Sequence, residues 1–151
     1  MKFIIFIILL FYSSFAHTEL IKPNPNFNPI EVVSIQLEAL KNNDTPYKNA
    51  GIEQTWEFAH PSNRKFTGPL DNFIIMMNSK AYSIMLNHND HTIIPVENND
   101  EISFFFVELI DQVGNKFGFQ WTVKKVKINN EYIDCWMTIG VSAPMFLAKS
   151  T

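Results

Sequence analysis

Apolar positions recur at helical spacing along the first half of the chain and at strand spacing along the second half. In residues 28–43, Ile30, Val33, Leu37 and Leu40 fall on one face, three or four positions apart, which predicts a helix. Asn28 can cap it, Pro29 suits its first position and Glu31 completes a capping pattern. After a turn at Asp44-Thr45-Pro46, a second helix is expected over residues 47–59, with Ile52, Trp56 and Ala59 in one stripe. Pro61 pushes His60 out of helical geometry, so this helix stops at or before His60. Ser62, Asn63, Arg64 and Lys65 then read as a polar loop set among Trp56, Phe58, Phe66 and Phe73. Pro69 opens a third helix over 69–77, carrying Leu70, Phe73, Ile74 and Met77. Asp71 lies in its first turn, where the helix dipole favours negative charge. A short helical piece over 80–86 follows.

From His91 onward the period shortens to two. Residues 92–96, interrupted by Pro95, suit an edge strand. Residues 101–111 and 116–128 are long apolar strands joined by a hairpin loop, and Asn129-Asn130-Glu131 turns the chain into a last strand over 135–141. Phe117, Phe119, Trp121 and Val123 alternate with Gly118, Gln120, Thr122 and Lys124; the phase then slips at Lys124-Lys125, before Val126 and Ile128. In the partner strand, Ser103 and Glu108 do not suit the same face of a regular ladder. A bulge shared by the two strands accounts for both and bends a sheet; a flat sheet covered on both faces is the alternative. The predicted class is α+β, with N-terminal helices packed in the concave face of a strongly curved antiparallel sheet.

The first residues change the picture of where such a domain works. Met1-Lys2 leads into an apolar run over 3–12, followed by Ser13-Ser14-Phe15-Ala16. One positive charge, a short apolar run and small residues at Ser14 and Ala16 have the form of an export signal cut after Ala16. The run falls short of the roughly 20 residues a spanning helix needs. The expected organisation is a signal peptide over 1–16, a surface leader over 17–27, one domain over 28–145 and a tail over 146–151. The product is expected to be periplasmic or secreted, with no stable membrane span after cleavage. Its formal charge changes from -3 to about -4 with the loss of Lys2. A mildly acidic chain without a basic stripe argues against nucleic acid, and Lys124, Lys125 and Lys127 suit a strand edge. Cys135 is the single cysteine, so no intramolecular disulfide forms and packing of 14 Phe and 3 Trp must hold the domain. Cys135 reads as a buried, inert thiol. Asn43-Asp44-Thr45 is a formal glycosylation sequon.

Several blocks carry a resemblance. They are Asn28-Pro29, Gln36-Leu37-Glu38-Ala39-Leu40 with Asn43-Asp44, and Gly51-Ile52-Glu53. Phe58-Ala59-His60-Pro61-Ser62-Asn63-Arg64, Thr67-Gly68-Pro69-Leu70 and Cys135-Trp136-Met137-Thr138 with Val141 complete them. Together, over about residues 28–141, they resemble a family known as domain of unknown function 4864, within the nuclear transport factor 2-like, or cystatin-like, cone folds. The resemblance implies a cone-shaped α+β domain and no established activity. His60 departs from it, standing where a small residue such as serine is expected.

Catalytic members of related cones place an Asp and a His or Tyr inside the cone, and the matching candidates are His60, Asp71 and Tyr82. Asp71 equally suits a helix start, and Tyr82 a core residue with a wet tip. His88-Asn89-Asp90-His91 has the residue types of a metal site but reads as an exposed polar turn, so neither metal nor cofactor is expected. Trp56, Phe73, Met76, Met77, Tyr82, Phe104, Phe119, Trp121 and Trp136 suit the wall of an apolar cavity, or simply a core. The ligand-binding candidates are Trp56, His60, Arg64, Phe73, Met76, Tyr82 and Trp121, for a small apolar ligand. Arg64 either fixes its loop through carbonyls or meets a carboxylate. The expected function is non-catalytic binding of a small ligand or protein partner. The alternatives are a small isomerase or hydrolase centred on His60, and a structural homodimer formed through the sheet.

Overall fold

Helix α1 (Pro29–Lys41) begins with the reciprocal cap that its sequence spells. Asn28 Oδ1 accepts from the Glu31 amide at 3.0 Å, and Glu31 Oε2 accepts from the Asn28 amide at 2.8 Å. Its buried stripe is Val32, Val33, Gln36, Leu37 and Leu40, whereas Ile30, placed on that face by spacing alone, is 40% exposed. The structure, a computed structural model, describes residues 19–150, so the expected signal peptide lies outside the described residues.

Helix α2 (Ala50–Glu57) starts later than its apolar spacing suggests, because Asn49 takes a left-handed φ of 65° and Asp44 Oδ1 accepts from its amide at 3.0 Å. The two helices approach closely at Gly51, where a Cβ would lie 2.1 Å from the Ala39 carbonyl oxygen. Asn43 clamps the junction, its backbone and side-chain oxygens accepting from Gly51 and Ile52.

The stretch expected to be a polar loop is instead helix α3 (Pro61–Thr67). It buries no residue, so no apolar stripe marks it in the sequence. Local chemistry makes it: Pro61 sits at its first position and His60 Nδ1 accepts from the Ser62 amide at 3.1 Å. Gly68, at a φ of 76°, ends α3, and Pro69 then caps α4 (Leu70–Met77) rather than entering it. A 3-10 turn at Ser83–Met85 precedes the sheet.

Five antiparallel strands follow: β1 (Asp90–Asn98), β2 (Ile102–Ile110), β3 (Lys116–Lys125), β4 (Trp136–Val141) and β5 (Met145–Ala148). The class is therefore α+β. The strand order is β1-β2-β3-β4, with β5 also pairing β3, so residues given to a C-terminal tail include a strand. The bulge expected between the two long strands is absent. Their register runs unbroken from Ile102 opposite Lys124 to Ile110 opposite Lys116. Ser103 sits on the inner face, where its Oγ donates to Asn98 Oδ1 at 2.6 Å, and Glu108 faces outward to Lys116. Val126 lies beyond β3 in a small second cluster with Cys135 and Met137, which explains the change of phase. Register shifts occur instead in the neighbouring ladders, between Pro95 and Glu97, at Thr122/Val123 and at Lys116/Phe117.

One core joins the layers. Val33, Leu37, Leu40, Ile52, Phe73 and Met77 from the helices meet Phe105, Val107, Leu109, Phe119, Trp121 and Val123 from the inner sheet face. Burial of each such side chain contributes about 1.5–3 kcal/mol to the fold. The leader packs on α2: Gln54 bonds both the amide and the carbonyl of Ile21, and the Phe27 ring lies 6.0 Å from Phe58. Among the described residues no helix is long and apolar enough to cross a membrane.

Candidate functional site

A cavity of about 140 Å³ lies where all four helices meet β3 and β4. That is close to the size of an apolar cavity of about 150 Å³ able to hold benzene. Its apolar wall comes from Leu40, Phe73, Met76, Met77, Met85 and Trp121. Methionine side chains adapt their shape readily.

One wall is a closed polar chain. Trp121 Nε1 donates to Thr138 Oγ1 at 3.0 Å, Thr138 Oγ1 donates to Gln36 Oε1 at 2.5 Å, and Gln36 Nε2 donates to the Thr55 carbonyl at 3.0 Å. Gln36, Thr55 and Thr138 are all buried, so this chain holds α1, α2, β3 and β4 in fixed register around the cavity. Two other lining groups are held loosely. Asn63 Nδ2 is 3.4 Å from the Thr138 carbonyl, and Tyr82 Oη is 3.5 Å from the Val141 carbonyl.

Of the residues singled out from sequence, Phe73, Met76, Met77, Tyr82 and Trp121 line this cavity. Trp56, His60 and Arg64 form a bracket beside it. The Arg64 guanidinium donates through Nε to the Ala59 carbonyl at 3.0 Å and through one terminal nitrogen to the Trp56 and Glu57 carbonyls at 2.9 and 3.0 Å. It also lies over the Trp56 ring at 4.8 Å and near Tyr132 at 5.4 Å. Arg64 thus meets the carbonyls that end α2 and ties α3 to them. Trp56 in turn packs on Phe73, with ring centroids 5.2 Å apart.

His60 is buried as the cap of α3, with Nδ1 accepting from Ser62, and its backbone amide donates to the Thr138 carbonyl at 2.8 Å. Burial, with Lys124 nearby, lowers its pKa. Asp71 is exposed in the first turn of α4. No hydrogen bond joins His60, Asp71 and Tyr82. Phe104, Phe119 and Trp136 do not line the cavity. Phe104 alternates with the inward Phe105 and stands on the outer face, 37% exposed.

In the His88–His91 segment Asn89 and Asp90 are exposed, as its polarity suggests, but His91 is half-buried in β1 and His88 is only 2% exposed. His88 Nδ1 lies 2.7 Å from the Met85 carbonyl, and its Nε2 lies 2.8 Å from His91 Nδ1. A carbonyl only accepts, so His88 carries its proton on Nδ1, its Nε2 accepts, and His91 donates from Nδ1. Burial pushes the His88 pKa down to about 4. Burial also lowers that of His91, against the pull of Glu38, whose Oε1 lies 3.5 Å from His91 Nε2. Among the described residues no group of three or more His, Cys, Asp or Glu could hold a metal ion. Cys135 is buried in the second cluster, and burial raises its pKa.

Gln36, Thr55, Asn63 and Thr138 were not among the ligand-binding candidates, although Gln36, Asn63 and Thr138 lie in the blocks that carry the resemblance. Gln36 also left a local signal, a polar residue on the buried face of α1 beside Val33, Leu37 and Leu40. Searches of protein-family models, curated proteins and solved structures return no match to this chain.

Proposed function

We propose that this chain is an exported, non-catalytic domain of the nuclear transport factor 2-like cone type, akin to domain of unknown function 4864, that binds a small apolar ligand. The cavity carries this reading: an apolar space of about 140 Å³ with a hydrogen-bonded polar chain in its wall. The helices gathered on one sheet face and the register shifts in three of four ladders support a bent sheet with a filled hollow. Export rests on the Ser14 and Ala16 pattern after the apolar run. A catalytic reading has less support, because one His60 ring nitrogen is committed to a cap and Asp71 stands at an exposed helix start.

The test is thermal denaturation of residues 17–151 with neutral aromatic and aliphatic fragments, beside Met76→Trp, which fills the cavity. A fragment at about 100 times its Kd stabilises the wild type by about 2.7 kcal/mol and leaves Met76→Trp unmoved. No stabilisation of the wild type by any fragment refutes the proposal. A homodimer through the outer sheet face is a second reading, favoured by Ile94, Phe104, Met145 and Leu147, each 37–42% exposed there. Sedimentation as a monomer at tens of micromolar removes it.

A further inference from the structure

The chemistry of the lining goes further than its size and, resting on the cavity reading above, specifies a class of ligand. Among the described residues no Asp, Glu, Lys, Arg or His lines the cavity, so a charged ligand would lose its hydration with no ionic partner there. The Trp121–Thr138–Gln36 chain commits the indole N–H, the Thr138 hydroxyl and one Gln36 N–H to its own members and to the Thr55 carbonyl. Spare bonding capacity lies on Asn63 and Tyr82. Asn63 Oδ1 accepts no bond among the described residues, its Nδ2 contact is long at 3.4 Å, and the Tyr82 hydroxyl contact is longer at 3.5 Å. Both side chains lean on β4, at the Thr138 and Val141 carbonyls, so they stand along one wall of the space.

We propose that the cavity selects an uncharged molecule of about six to eight non-hydrogen atoms with an apolar body and one hydrogen-bonding end, which Asn63 or Tyr82 receives. Benzene, phenol and benzylammonium, all within that size range, test this by chemical-shift titration of the full mature chain. Phenol binds up to about tenfold tighter than benzene, the gain of one added hydrogen bond, and benzylammonium binds at least about 100-fold weaker than phenol. The Asn63→Leu/Tyr82→Phe pair brings phenol to the level of benzene, with folding checked by circular dichroism. Equal binding of benzene and phenol, benzylammonium matching phenol, or a phenol preference that survives the double substitution each overturns the ligand class while the cavity reading stands. If none of the three binds, the cavity reading falls with it.

The His88–His91 pair carries an independent inference. In the neutral pair His91 Nε2 presents a lone pair to Glu38 Oε1 at 3.5 Å, a place where a proton would be shared. His88 has no such place, because a proton on Nε2 would oppose the His91 N–H. The charged groups facing the pair are Glu38 and Lys41 from α1 and Asp90 from β1, the last two paired at 3.6 Å. The 3-10 turn contributes only the Met85 carbonyl, and β2 places Leu109 opposite His91 with Glu108 on the outer face. We infer that mild acid adds one proton to the pair, on His91 Nε2 toward Glu38, and leaves His88 neutral and bonded to Met85, a cavity-wall residue. Nitrogen-15 titration of the histidine rings reads this directly. His88 keeps its Nδ1–H form while His91 titrates, and Glu38→Gln lowers the His91 midpoint by about half a pH unit. A first proton on His88, or a midpoint indifferent to Glu38→Gln, overturns it.

Discussion

Replacing Arg64 by Ala removes the fork that closes the end of α2. Its three bonds reach the carbonyls of Trp56, Glu57 and Ala59, and the positive group sits where the helix dipole is negative. Bonds to a charged group are worth about 1.5–3 kcal/mol each, but the three share one half-buried guanidinium, and water can reach part of what is exposed. The expected loss is about 2–4 kcal/mol, or roughly 10 °C in Tm for a domain of this size. Arg64→Lys is the sharper probe, because an ammonium keeps the charge and loses the planar fork. It should recover no more than about a third of the loss, since it can face one carbonyl well. Urea unfolding followed by circular dichroism gives both values, with Lys65→Ala as the exposed neighbour. If Arg64→Lys matches the wild type, charge alone explains the residue; if Arg64→Ala costs less than about 1 kcal/mol, the carbonyl fork does not hold α3 on α2.

Other consequences follow from single contacts. Gly51→Ala drives a methyl into the Ala39 carbonyl, so the chain should lose about 3 kcal/mol or more and express poorly; normal stability in urea would show that α1 and α2 separate freely. Asn28→Ala breaks the reciprocal cap and should cost about 1 kcal/mol, read as a lower denaturation midpoint with an unchanged slope. His88 is held neutral with its pKa about 4, against 6.5 for a free imidazole. As pH falls below 6.5 the unfolded chain takes up this proton and the folded one does not, so stability present at neutral pH is lost between about 6.5 and 4. That loss should approach about 2–3 kcal/mol by pH 4, and His88→Gln should flatten the slope between those limits. Unfolding midpoints that rise on acidification through this window would contradict the buried neutral ring.

Much of the frame was written locally. Asn28, Pro29 and Glu31 announce α1, Pro61 stops the helix before it, and the alternation over 117–123 marks β3 as a half-buried strand. These signals act within one turn or one pleat, so a sequence displays them without knowing its neighbours. Helix α3 was hidden because it buries nothing, and its support comes from His60 at its start and from Arg64 reaching back to α2. Strand β5 was hidden because its four exposed residues find their meaning only as partners of β3. The slip at Lys124-Lys125 shows the converse, a local irregularity whose cause is Val126 turning to a second cluster, with the β2–β3 ladder left intact.

The candidate site divides the same way. Aromatic and methionine positions such as Phe73, Met76 and Trp121 were readable as apolar wall, because burial tracks residue type. The bond from Thr138 to Gln36, between residues 102 apart, and the inward turn of His88 onto His91 were not. Local propensity determines which segments become helix or strand; which polar atoms meet inside is decided only when packing brings distant segments together, since a buried donor must then be satisfied by whatever lies beside it.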